Sequence, residues 1–128
     1  MSRNFPPDTC PYLHEEMETL TREQISALQL ERLQATVRHC MNSPFYKQRF
    51  EEIGLKPEDI KSLDDIRKIP FTTKADLRDT YPFGMASVPL RECTRLHSSS
   101  GTTGTPTVIL HTKKDLEEWA NQVARNLW

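Results

Sequence analysis

Apolar residues recur at Ile25, Leu28, Leu30, Leu33, Val37, Cys40 and Met41. Most steps are three or four residues, the spacing that lines one face of an α-helix. Just ahead stands Thr21-Arg-Glu-Gln24, a capping box in which Thr accepts from the third amide and Gln reaches back to the cap. Together they predict a helix of about twenty residues with one buried stripe. Asn42-Ser43-Pro44 closes that helix and opens the next. Ser43 is the candidate cap, and Pro44 suits the first helical position, where its missing N–H is not needed. The second helix, PFYKQRFEEIG, stops at Gly54, a favoured residue just past a helix end.

Ser62-Leu-Asp-Asp65 and Thr73-Lys-Ala-Asp76 repeat the cap pattern with an acid at its third position, which also suits the helix dipole. They predict two short helices. Ile69 between them must be extended, because Pro70 disfavours the α conformation in the residue before it. Tyr81-Pro82-Phe83-Gly84 is a further break, so residues 43–93 read as short helices and turns with little strand. From residue 94 the pattern changes. Thr94-Arg-Leu-His97 and Thr107-Val-Ile-Leu-His-Thr112 are β-compatible runs. Thr112-Lys-Lys-Asp115 caps a last helix with apolar positions Leu116, Trp119, Ala120, Val123 and Leu127. Trp119 is expected in the core. That stripe reaches Trp128 without Gly, Pro or a basic last turn, which points to a piece of something longer.

Composition narrows the classes. With 17 basic and 18 acidic residues and a net charge of −1, no electrostatic footprint for nucleic acid or an acidic membrane exists. No apolar stretch approaches the roughly 20 residues of a membrane span, and MSRNFPPDTC lacks the apolar core of an export signal. The expected location is cytoplasmic. Cysteines 10, 40 and 93 are odd in number and widely spaced, arguing against a disulfide framework or a zinc site. Cys40 is expected to be buried as a small apolar residue.

Between the two β-compatible runs lies HSSSGTTGTPT. Two readings are open. One is a flexible hairpin connection, since Gly and Ser are ordinary turn residues. The other is a phosphate cradle, in which Gly101 and Gly104 let backbone amides approach a ligand and Ser98, Ser99, Ser100, Thr102 and Thr103 add hydroxyls. Eight or nine loop residues exceed the two to five that most hairpins use, which favours the cradle. The loop lacks the glycine spacing of a Walker A motif or a dinucleotide fold, and there is no Gly-x-Ser-x-Gly elbow.

Ser99 through Pro106 resemble the Ser-Ser/Thr-Gly-Thr-Thr-Gly-x-Pro signature of the adenylate-forming enzymes. Ser43-Pro-Phe-Tyr-Lys47, Ile69-Pro-Phe-Thr-Thr-Lys-Ala-Asp-Leu-Arg78, Tyr81-Pro-Phe-Gly84 and His97 are similar to the phenylacetate–coenzyme A ligase branch. The matches spread over roughly residues 40–128, and members of that branch are much longer chains. Many superfamily members carry Lys at the position of Thr105 or Thr107, where this chain has Thr. The resemblance implies an α/β fold: a mainly helical part followed by a strand–phosphate loop–strand–helix unit, an incomplete piece of a large adenylating domain. Residues 1–20 would be an irregular lead-in, 21–93 helical and 94–128 the loop-bearing unit, with the C-terminal lid domain absent.

It also implies an AMP-forming ligase that activates an aryl or aryl-acetic carboxylate with ATP and passes it to coenzyme A. Ser98, Ser99, Ser100, Gly101, Thr102, Thr103, Gly104, Thr105 and Thr107 would bind nucleotide. ATP, Mg²⁺ and coenzyme A would be the cofactors, the last two held mainly by parts outside these residues. No catalytic side chain is expected here, and the segment alone should not turn over. Its partners would be small molecules, neither nucleic acid nor membrane, and its open sheet edges point to self-association or a homodimer. His97 could meet a ligand or merely satisfy the strand end. Lys74, His111, Lys113 and Lys114 read as surface residues. A stand-alone phosphate-binding or protein-interaction module is the competing class.

Overall fold

The computed structural model describes residues 11–99 and 104–127. Among the described residues five helices run in order: α1 (Glu15–Glu18), α2 (Arg22–Cys40), α3 (Pro44–Glu52), α4 (Lys74–Asp79) and α5 (Lys113–Leu127), with strands β1 (Cys93–Ser98) and β2 (Val108–Thr112) between α4 and α5. Short 3₁₀ turns occupy Pro57–Asp59, Leu63–Lys68 and Leu90–Glu92. The described chain is thus mostly helical with one two-stranded antiparallel sheet. The turn α1 falls inside the stretch expected to be irregular. The Ser62 segment forms 3₁₀ rather than α structure, because the chain must be extended again at Ile69 ahead of Pro70.

The four capping boxes at Thr21, Ser62, Thr73 and Thr112 form where the sequence places them. Thr21 N donates to Gln24 Oε1 at 2.8 Å, and Gln24 N to Thr21 Oγ1 at 3.3 Å. Thr73 N donates to Asp76 Oδ2 at 2.6 Å and Thr112 N to Asp115 Oδ2 at 2.7 Å. Ser62 N donates to Asp65 Oδ2 at 2.7 Å, and Lys68 Nζ lies 2.9 Å from Asp65 Oδ1. The Lys68 ammonium and the Lys61 and Ser62 amides hold the Asp65 carboxyl far below its ordinary value.

The end of α3 is a Schellman motif: Gly54 N donates to Glu51 O at 3.1 Å and Leu55 N to Phe50 O at 2.9 Å. Gly54 sits at φ +68°, a left-handed position that suits glycine. This turn folds Leu55 back onto Phe50 and builds the core, in which Val37, Phe50, Leu55 and Ile60 are buried. Leu30, Leu33, Cys40, Met41, Tyr46 and Ile69 pack around it. Cys40 is only half-buried, and that burial pushes its thiol up. Gln34 Nε2 donates to Ile60 O at 2.8 Å, tying α2 to the segment that follows α3.

Ser43 departs from expectation. It is fully buried, yet its hydroxyl caps nothing and has no hydrogen-bond partner among the described residues. Closing the turn from Cys40 O to Ser43 N at 2.9 Å already satisfies its backbone. A buried hydroxyl without a partner costs about 1–3 kcal/mol. Ser43→Ala is therefore expected to leave urea-unfolding stability unchanged or to raise it by about 1 kcal/mol. A loss of about 1 kcal/mol or more would show that the hydroxyl caps α3 after all.

Trp119 is the second departure: it is 47% exposed rather than in the core. The helix α5 lies against both strands, but Val123 and Leu127 along its apolar stripe are also exposed. Among the described residues, no helix is long and apolar enough to cross a membrane.

Candidate functional site

Strands β1 and β2 pair in the register Arg95↔His111, Leu96↔Leu110, His97↔Ile109 and Ser98↔Val108, with an irregularity between Cys93 and Arg95. The Ser/Thr/Gly stretch is the connection between these two strands, residues 99–107. Beyond the ladder's last pair, Ser99 N still donates to Thr107 O at 3.1 Å. The two side chains meet as well: Ser99 Oγ and Thr107 Oγ1 are 2.7 Å apart, and Thr107 N lies 3.4 Å from Ser99 Oγ. Thr107 is buried, whereas Ser99, Gly104 and Thr105 are exposed and Pro106 is half-buried. The connection is narrow at its base, where Thr107 is buried, and exposed at Gly104 and Thr105.

Of the nine nucleotide-binding candidates, Ser98 ends β1, Ser99 and Thr107 form the base, and Gly104 and Thr105 stand on the returning arm. Ser100, Gly101, Thr102 and Thr103 lie outside the described residues. Gly104 has φ +132°, a backbone conformation that L side chains rarely adopt, with open space where a Cβ would stand. Residues 98–107 include no carboxylate. They offer hydroxyls and amides, which suit phosphate oxygens; a magnesium ion wants hard anionic oxygens that this stretch does not supply.

Beside the base is a group that the linear pattern did not reveal. His97 and His111, diagonal neighbours across the ladder, have ring centroids 4.9 Å apart. Trp119 lies 5.6 Å from His97, edge-on, and 5.7 Å from His111, stacked. His111 is therefore half-buried in a ring cluster rather than a plain surface residue, and His97 meets both of the other rings. Only the hairpin register brings the two imidazoles together. Lys74, Lys113 and Lys114 are exposed, as expected. Asp115 is held below its ordinary value, first by the Thr112 amide and also by the nearby His111 and His39.

On the other side of β2, beginning at Val108, an open cleft of about 900 Å³ is lined by His39, Tyr46, Phe83, Ser87 and Asp115 among others. Ser87 Oγ and His39 Nε2 are 2.9 Å apart across it, joining α2 to the segment before β1.

No protein-family model matches the chain. It is 51% identical over 114 residues to the phenylacetate-coenzyme A ligase of Aromatoleum evansii, a match covering 88% of this chain and 26% of that protein. With the phenylacetate-coenzyme A ligase of Pseudomonas putida it is 50% identical over 125 residues, covering 97% of this chain and 28% of the relative. The Escherichia coli K12 enzyme of the same name is 47% identical over 112 residues, 87% of this chain and 26% of that one. Among solved structures, 2-hydroxyisobutyryl-CoA ligase in complex with 2-HIB-AMP and CoA superposes with a TM-score of 0.85 at 33% identity, covering 98% of this chain and 28% of that one. The chain thus spans about a quarter of the length of the proteins it matches. Over most of its own length the chain is similar, at 47–51% identity, to one part of the phenylacetate–coenzyme A ligases.

Proposed function

We propose that residues 98–107 form the ATP-phosphate site of an AMP-forming acid–coenzyme A ligase whose acid is phenylacetate or a close aryl-acetic relative. The observation that carries this reading is the loop itself. Its base is closed by Ser99 and Thr107, its returning arm turns at a glycine with φ +132°, and the stretch 98–107 is rich in hydroxyls and carries no charged side chain. The shared names of the relatives support the acid. The adenylate and coenzyme A in the 2-hydroxyisobutyryl-CoA ligase complex support the two-step chemistry.

In that chemistry the carboxylate oxygen attacks the α-phosphorus of ATP, releasing pyrophosphate and leaving a mixed anhydride. The thiol of coenzyme A then attacks the acyl carbon, the C–O bond to AMP breaks, and the thiol proton is lost to solvent. Phosphoryl transfer of this kind depends on positioning and charge stabilisation. The loop's part is to hold the β- and γ-phosphates so that pyrophosphate departs in line. Ser98, Ser100, Thr102, Thr103 and Thr105 supply hydroxyls, and Gly101 and Gly104 bring amides close. The adenine pocket, the acyl pocket, the magnesium ligands and the mobile lid belong to the other three quarters of a ligase's length.

The test is the full-length protein given ATP, magnesium, phenylacetate and coenzyme A. AMP, pyrophosphate and phenylacetyl-CoA are expected in equal amounts, and the 128-residue chain alone should form no thioester. If no member of a panel of aryl and alkyl acids stimulates AMP release, the reading is wrong.

A further inference from the structure

We propose that Ser99 and Thr107 are a clasp that sets the width of the loop's mouth. They act on the phosphate site as positioning residues rather than as ligands of it, an inference that rests on the function proposed above. Three contacts join this one pair: the backbone bond from Ser99 N to Thr107 O at 3.1 Å, the hydroxyl–hydroxyl bond at 2.7 Å, and the longer approach of Thr107 N to Ser99 Oγ at 3.4 Å. The ladder has already ended at Ser98↔Val108, so the clasp adds a rung of side-chain origin where regular pairing stops.

Its chemistry is consistent. Ser99 Oγ accepts from the Thr107 amide, and either hydroxyl can give the proton of the bond between Ser99 Oγ and Thr107 Oγ1. Thr107 is buried to 9% exposure, and water competes poorly for such a bond. The two hydroxyls are turned toward each other, while Gly104 and Thr105 stand exposed.

A loop rich in glycine and small side chains loses conformational freedom when its amides converge on an anion. Fixing the distance between its arms in advance removes part of that cost, and affinity gained by preorganisation appears in ligand binding. Clasp residues should therefore govern KM for ATP and leave KM for the acid alone. Because each hydroxyl acts through the other, losing both should do no more harm than losing one. Two independent phosphate ligands would behave differently, their losses multiplying.

The experiment is a double-mutant cycle in the full-length ligase. Thr107→Val keeps the side chain's shape and removes its hydroxyl, and Ser99→Ala changes an exposed residue, so both variants are expected to fold. Each should raise KM for ATP about five- to tenfold with kcat within about twofold. The double variant should match the worse single one, and Thr107→Ser should restore parental kinetics. Effects that multiply in the double variant, a kcat loss without a KM change, or failure of Thr107→Ser to rescue would each overturn the clasp while the parent's activity upholds the ligase reading. A parent without acid-dependent AMP formation would overturn both.

Discussion

If the function proposed above holds, Gly104→Ala in the full-length protein is expected to lower kcat/KM for ATP by about ten- to a hundredfold while the protein stays folded. The added methyl meets nothing within 4 Å, so the penalty is not a clash. It lies in the backbone: at φ +132° an alanine sits in a region that L residues avoid, at a cost of about 1–3 kcal/mol. The loop would escape that cost by moving its returning arm, taking its amides away from the proposed phosphate site. A free-energy loss of that size, felt when the transition state is bound, corresponds to the stated fall in rate. Gly54→Ala is the informative control. Gly54 is also left-handed, at φ +68° with open space around it, but it closes α3 far along the chain from the loop. It should lower the melting temperature and leave ATP kinetics unchanged. Parental kinetics in Gly104→Ala would remove the glycine from the phosphate site.

What the amino-acid sequence made legible is what is decided within a few residues. The boxes at Thr21, Thr73 and Thr112 form as read because each hydrogen bond spans three positions and needs no distant partner. Gly54 stops α3 for the same local reason. The Ser/Thr/Gly stretch was legible as a composition and, through Ser99–Pro106, as a family signature. Its base was not, because the Ser99–Thr107 hydroxyl bond depends on the strand register. The same holds for His97 and His111, each ordinary alone and joined only by the pairing of Arg95 with His111. Ser43 and Trp119 fail for a different reason. Periodicity and residue type say what a position could do; they do not say whether a hydroxyl turns toward an amide, or whether any element lies over an apolar helix face. Both are questions of tertiary packing.

Phe50→Ala should be the most destabilising single change in the chain, costing about 3–5 kcal/mol. Phe50 is 1% exposed and stands two residues before the last residue of α3, where the Schellman turn presses Leu55 onto it. Val37 from α2 and Ile60 complete the enclosure, and the Tyr46 ring lies 6.0 Å away, tilted against its own. Removing the ring leaves a cavity bounded by two helices and a glycine turn, none of which can collapse without breaking a cap or a bond such as Gln34 to Ile60 O. Among the described residues this is the buried core, and a domain's total stability is only about 5–15 kcal/mol. The loss therefore takes a large share of it, and urea unfolding followed by far-ultraviolet circular dichroism reads it directly. Ile53, three positions along and 53% exposed, sets the comparison: Ile53→Ala should stay within about 0.5 kcal/mol of the parent. Equal losses at the two positions would mean that α3 does not bury the face described here.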